Sequence, residues 1–187
     1  MHIVIGILGI FALGAFSFLS EPPREPAVVQ ELDVERYMGV WYAVASIPTP
    51  FERACAGGTT AEYELLDNGE VSVTNTCYRA DGTPFQATGR AWIPDPSEPG
   101  KLKVSFVRFL GRWLFPGDYW LLELDPEYHF AVVGHPKRRY GWILSRTPTL
   151  PEETLQGIFA RLEGKGYDRT VFRRIDQSIR GSASPED

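Results

Sequence analysis

Ala61-Glu62-Tyr63-Glu64-Leu65-Leu66-Asp67-Asn68-Gly69-Glu70-Val71-Ser72-Val73-Thr74-Asn75 alternates apolar and polar residues on both sides of a turn. Ala61, Tyr63 and Leu65 fall on one side of the first arm, with Glu62 and Glu64 on the other. After the turn, Val71, Val73 and Asn75 oppose Ser72 and Thr74, so period two places Asn75 on the apolar face. Asn68-Gly69 supplies the positive φ angles that a tight hairpin requires. The stretch therefore predicts two antiparallel strands with one greasy side.

The same alternation extends in both directions, with turn residues at roughly ten-residue spacing. It predicts strands over Trp41–Ile47, Gln86–Ile93, Leu102–Val107, Tyr119–Asp125, Tyr128–Gly134 and Tyr140–Arg146, punctuated by Asp81-Gly82, Pro94–Gly100, Pro116-Gly117 and Pro136-Lys137. With the hairpin these make eight. The fold class is all-β: eight antiparallel strands with short links close into an up-and-down barrel with a small lumen, which removes exposed edges. After Arg146, Pro151 suits the start of a helix and Glu152 and Glu153 complement its positive end. Leu155, Ile158, Phe159 and Leu162 give that helix one apolar face, which packs outside the barrel. A last strand over Thr170–Ile175 returns beside the first.

Upstream lies a run from Ile3 to Leu19 without a charged residue, read as an export signal or, uncleaved, as an N-terminal membrane anchor. Glu21-Pro22-Pro23-Arg24-Glu25-Pro26 follows as an extended spacer. The organisation predicted is thus an export or anchor segment over 1–20, a Pro-rich spacer over 21–30, a barrel domain over 31–177 and a polar tail over 178–187.

The whole chain has 187 residues and a formal net charge of −5, enough for one domain with a real core and too acidic for nucleic acid to be the main partner. In an exported chain, Cys55 and Cys77, its two cysteines, read as one disulfide. Neither has a histidine neighbour to complete a metal site, so no metal or cofactor is expected.

Gly39-Val40-Trp41-Tyr42, preceded by Leu32-Asp33-Val34-Glu35-Arg36-Tyr37, resembles the lipocalin signature. Trp142-Ile143-Leu144-Ser145-Arg146-Thr147-Pro148 resembles its partner on the last barrel strand. Within that family the chain is similar to the bacterial outer-membrane lipocalins and apolipoprotein D, on Phe51-Glu52-Arg53, Leu102-Lys103-Val104-Ser105-Phe106 and Gly141–Arg146. It departs from them in two places. No cysteine precedes Cys55, so no cysteine-linked lipid is expected, and Leu124-Asp125-Pro126 with Tyr128 stands where Thr-Asp-Tyr is usual. The resemblance implies a closed end built from Gly39, Trp41 and Arg146, where a guanidinium over an indole face gains about 0.5–2 kcal/mol. It also implies ligand-pocket roles for Tyr63, Asn75, Phe106, Tyr119 and Trp142.

If Trp41 marks the closed end, the open end carries the loops 48–58, 79–84, 107–118 and 134–139, and both cysteines fall there. Parity turns Ala43, Ala45, Tyr63, Leu65, Val73, Leu102, Val104, Phe106 and Trp142 inward, with Asn75 as the polar handle. Tyr119 is open. If it faces inward so does Glu123; the other register turns Trp120, Leu122 and Leu124 inward. For each aromatic the plain alternative is core packing. Arg108–Phe115 presents Phe109, Trp113 and Phe115 among cations, either for contact with a membrane surface or as a lid folded inward. Lys137-Arg138-Arg139, at the same end, is an anion-attracting cluster or a solvated charge run.

The function expected is binding and transport or storage of fatty acids, phospholipids or lysophospholipids in the cell envelope or periplasm. The alternatives are a flat aromatic ligand such as haem or a bilin, and an envelope enzyme acting on a lipid. Against catalysis, His2 lies in the export segment, His129 points outward, and His135 has no acidic partner assigned. Glu123 inside the lumen would revive it.

Overall fold

A computed structural model describes residues 25–179. The export segment, residues 21–24 of the spacer and residues 180–187 of the tail lie outside the described residues. A one-turn helix, α1 (Val34–Tyr37), leads into strands β1 (Gly39–Ser46), β2 (Gly57–Leu65), β3 (Val71–Tyr78), β4 (Pro84–Trp92) and β5 (Lys101–Ser105). A small hairpin, β6 (Val107–Phe109) and β7 (Arg112–Leu114), precedes β8 (Gly117–Leu124), β9 (Phe130–Gly134) and β10 (Gly141–Ser145). Helix α2 (Glu152–Gly164) and the short strand β11 (Arg173–Arg174) complete the order.

Strands β1 to β5 and β8 to β10 run antiparallel to their neighbours, and β10 pairs back to β1, so eight strands close a barrel. The extra strand β11 adds to β1 beside that seam through Ala45↔Arg174 and Ser46↔Arg173. It is shorter than the predicted 170–175, because residues Arg169–Val171 form a turn of 3-10 helix. Helix α1 and the β6–β7 hairpin were not read from the sequence. In the β2–β3 turn Gly69 alone takes a positive φ, +79°, with Leu66 N donating to Glu70 O at 2.9 Å. It is thus a longer turn than the two-residue one that Asn-Gly suggests.

Two apolar clusters divide the fold. One fills the barrel's lower interior and includes Tyr37, Trp41, Tyr63, Val73, Leu121, Val133 and Leu144. The other joins the outer wall to α2, whose Leu155, Ile158, Phe159 and Leu162 meet Val44, Ala45, Trp120, Leu122, Val132 and Ile143. Two β-bulges decide which residue belongs to which. In β1 the register slips between Ala43 and Ala45, so Val44 and Ala45 both face the helix side. Ala45, predicted inward, therefore does not line the lumen. In β8 the slip falls between Leu121 and Glu123. Tyr119 and Leu121 point in, Trp120 and Leu122 pack under α2, and Glu123 points out to Arg161 of the helix, Oε1 to Nη2 2.6 Å. Neither of the two predicted registers for β8 is correct over its whole length.

Leu65 is also corrected. Strand β1 begins opposite Tyr63, so Leu65 overhangs the closed end and is 39% exposed. Leu102 does not reach the main lumen either; it borders a smaller void of about 40 Å³ beneath it.

Candidate functional site

The barrel interior holds a cavity of about 670 Å³ that opens at the end bearing Thr49–Glu52, Val107 and Phe115. Its opposite end is shut by α1. Asp33 caps that helix by accepting from Arg36 N, and the helix lies across the barrel's base, where Arg36 Nη2 donates to Pro126 O at 3.3 Å. Trp41 Nε1 donates to Tyr37 O at 2.8 Å, and Arg146 spans the join. Its Nη1 and Nη2 donate to Val40 O and Arg36 O at 3.0 and 2.7 Å, while its guanidinium carbon sits 3.8 Å from the centroid of the Trp41 indole. Gly39 takes φ +88°, while a Cβ there would meet nothing nearer than Arg146 Nη1 at an ordinary 3.6 Å, so backbone conformation and not space favours glycine. Gly39, Trp41 and Arg146 thus form the closed end.

The floor above this plug is polar. Tyr119 Oη lies 2.9 Å from Tyr37 Oη and 2.8 Å from Tyr63 Oη, three phenols linked in a row. Burial pushes all three pKa values up, that of Tyr63 to about 12, so the trio is neutral at ordinary pH. Three hydroxyls carry three protons and share two contacts, which leaves one O–H without an acceptor inside the trio. Tyr37 was missed from the sequence, and no periodicity could have found it, because it precedes the first strand.

All five residues with implied pocket roles, Tyr63, Asn75, Phe106, Tyr119 and Trp142, border the cavity. They are unlike in setting. Asn75 stands between Ala61 on β2 and Ala87 on β4, its direct cross-strand partners, so small side chains flank it on both neighbouring strands. Phe106 lies past the end of β5 at the mouth, 41% exposed, its ring against Gly89, where a Cβ would come within 2.7 Å of it. Trp142 stacks on Tyr140, centroids 6.2 Å apart at 26°, and Tyr140 meets His135 edge-on. The lining therefore mixes small residues, Ala43, Ala61 and Ala87, with the rings of Tyr63, Phe106, Tyr119 and Trp142.

Around the mouth the disulfide joins Cys55 to Cys77, Cα to Cα 5.6 Å, and holds the 51–54 turn against β3. Phe51 stacks on Phe85 at 4.8 Å. His135 does have an acidic neighbour, contrary to the reading above: Asp118 Oδ2 is 3.8 Å from its Nε2. Burial nevertheless draws the pKa of His135 below its ordinary value, against the pull of Asp118. Asp118 itself is bound by Lys103 Nζ at 2.6 Å. His129 is exposed, 3.1 Å from Asp125.

A family model described as a lipocalin-like domain matches residues 32–177. The chain belongs to the lipocalin family. Among lipocalins it is 39% identical over 170 residues to temperature-induced lipocalin-1 of Arabidopsis thaliana, covering 88% of this chain and 91% of that one. It is 39% identical over 157 residues to the outer membrane lipoprotein Blc of Escherichia coli (strain K12), covering 83% and 85%. Apolipoprotein D of Rattus norvegicus is 37% identical over 161 residues, covering 82% and 81%. Among solved lipocalin structures, insecticyanin from the tobacco hornworm Manduca sexta superposes with a TM-score of 0.64 at 23% identity, covering 86% and 89%.

Proposed function

We propose that this lipocalin binds an acyl lipid, a fatty acid, phospholipid or lysophospholipid, in its lumen and carries or stores it in the cell envelope. The observation that carries the reading is the shape and chemistry of the cavity. About 670 Å³ lies within the range of small-molecule pockets, and its walls are apolar except at Asn75, the phenol floor and the rim. Burying a methylene is worth about 0.8 kcal/mol and a typical hydrogen bond about 1 kcal/mol net. Two carbons of chain thus outweigh one polar contact, so chain length sets affinity and Asn75 or the floor sets orientation. Export is supported by the apolar run at Ile3–Leu19, and a disulfide suits an oxidising compartment.

Mass spectrometry of an organic extract of the purified protein tests this. Acyl chains in stoichiometric amount are expected; an extract empty of lipid, from protein that also fails to take up added fatty acid, would contradict it. A second reading, a flat aromatic guest such as haem or a bilin, is favoured by the stacked pair Tyr140 and Trp142 on the cavity lining. An absorption band on the purified protein would select it. Catalysis has less support, since Glu123 faces the helix and not the lumen.

A further inference from the structure

The most exposed large apolar side chains among the described residues are Leu110 at 85% and Phe115 at 82%, followed by Phe109 at 62%. Leu110 and Phe115 are also two of the four non-glycine residues held at positive φ among the described residues, at +46° and +53°. An L-residue with a bulky side chain is strained there, and Asn, Asp or Gly would relieve it. Each position thus carries two costs, one of solvation and one of conformation, and both sit on the β6–β7 hairpin at the mouth. The hairpin is rigidly mounted. Ser105 Oγ donates to Leu114 O and accepts from Val107 N at 3.3 Å, and Trp113 lies between the guanidiniums of Arg90 and Arg108, 5.7 and 5.8 Å from its ring centre. Trp113 is consequently half-buried, and the presented apolar set is Phe109, Leu110 and Phe115.

Charge is sorted at the same end. The chain is acidic overall, at −5, yet Arg108, Arg112, Lys137 and Arg139 make no ion pair among the described residues. The carboxylates nearby are engaged: Glu52 by Ser46 Oγ and Thr49 N, Asp118 by Lys103, and Asp81 by Thr83. An apolar tip beside cations that have no carboxylate partner matches a bilayer interface, with hydrocarbon below a layer of phosphates.

We propose that the β6–β7 hairpin docks the barrel mouth-first on a bilayer bearing anionic head groups, with Phe109, Leu110 and Phe115 at acyl depth and the four cations at the phosphates. Because Val107 and Phe115 also border the cavity, docking would open the lumen directly onto the lipid. The proposal goes beyond the lumen reading and does not depend on what occupies the lumen.

Amide hydrogen exchange of the full chain, with and without phosphatidylcholine vesicles containing about 30 mol% phosphatidylglycerol, tests it locally. Exchange across 106–117 is expected to slow by at least about tenfold on vesicles and to recover in high salt, while the closed-end turns at 66–70 and 94–100 are unchanged. In the double variant Phe109→Ser, Leu110→Asn that protection is expected to vanish, with the thermal midpoint unlowered because Asn suits the left-handed turn. Protection without vesicles that grows with protein concentration would assign the surface to a second copy and overturn the proposal. So would unchanged exchange, or protection retained in the variant. Uptake of a fluorescent fatty acid by the same variant separates the two readings: it is expected to persist, and its absence in the wild type as well would remove the lumen reading alone.

Discussion

Arg146 lies face-on to Trp41 at 3.8 Å and bonds two carbonyls, Arg36 O and Val40 O, more than a hundred residues away in sequence. One planar guanidinium thereby ties the last barrel strand to the plug before the first. A lysine supplies the charge without the fork or the flat face. Arg146→Lys is expected to lower stability by about 1–3 kcal/mol, the sum of a cation–π contact and one lost charge-assisted bond. Denaturant titration measures it, and an unchanged midpoint would show that the plug is held by other contacts.

Phe106 can border the lumen only because residue 89 has no side chain. A Cβ on Gly89 would come within 2.6 Å of Ser105 O and 2.7 Å of the Phe106 ring. Gly89→Ala is therefore expected to displace Phe106, costing about 1–3 kcal/mol as overpacking does. Fatty-acid affinity should change together with the thermal midpoint; a variant as stable and as active as the wild type would mean that Phe106 relaxes freely outward.

The phenol floor makes stability depend on alkaline pH. Tyr63 titrates near 12 when folded against about 10 when exposed, and Tyr37 and Tyr119 are raised in the same direction. A raised folded pKa means the unfolded chain loses its protons first, so stability is full below pH 10 and falls as pH climbs toward 12. Tyr63→Phe is expected to flatten that fall. The check is unfolding free energy measured from pH 8 to 11.5, where parallel curves for the two proteins would be the contrary result.

The disulfide closes a loop with a sequence separation of 22. By chain entropy its loss costs about 3 kcal/mol. Because the bond also fixes the 51–54 turn that borders the mouth, Cys55→Ser with Cys77→Ser is expected to weaken ligand uptake as well as stability. A fall in the melting temperature with no change in uptake would mean that the turn keeps its place without the bond.

Strand alternation made the barrel, its closure and the outer helix legible, because period two and the 3.6-residue repeat are written directly in the residue types. It failed wherever a strand bulges. Tyr119 and Glu123 have the same parity and face opposite sides of the wall, and Ala43 and Ala45 do likewise, since one extra residue inverts every position after it. No residue type in Leu121-Leu122-Glu123 announces that slip; the salt bridge from Glu123 to Arg161 shows its consequence. The Asp118 neighbour of His135 was out of reach for another reason, being a contact between the start of β8 and the residue just past the end of β9. The strain in Leu110 and Phe115 was invisible too, since φ is not spelled by a sequence that places leucine where asparagine would be easier.

Whether the lumen is the seat of binding is tested most directly by titrating the protein and its Trp142→Asp variant with a fluorescent fatty acid, with circular dichroism confirming that both are folded. Saturable uptake by the wild type and none by the variant is the expected result. Equal affinity in the two, both folded, would place the lipid somewhere other than inside the barrel.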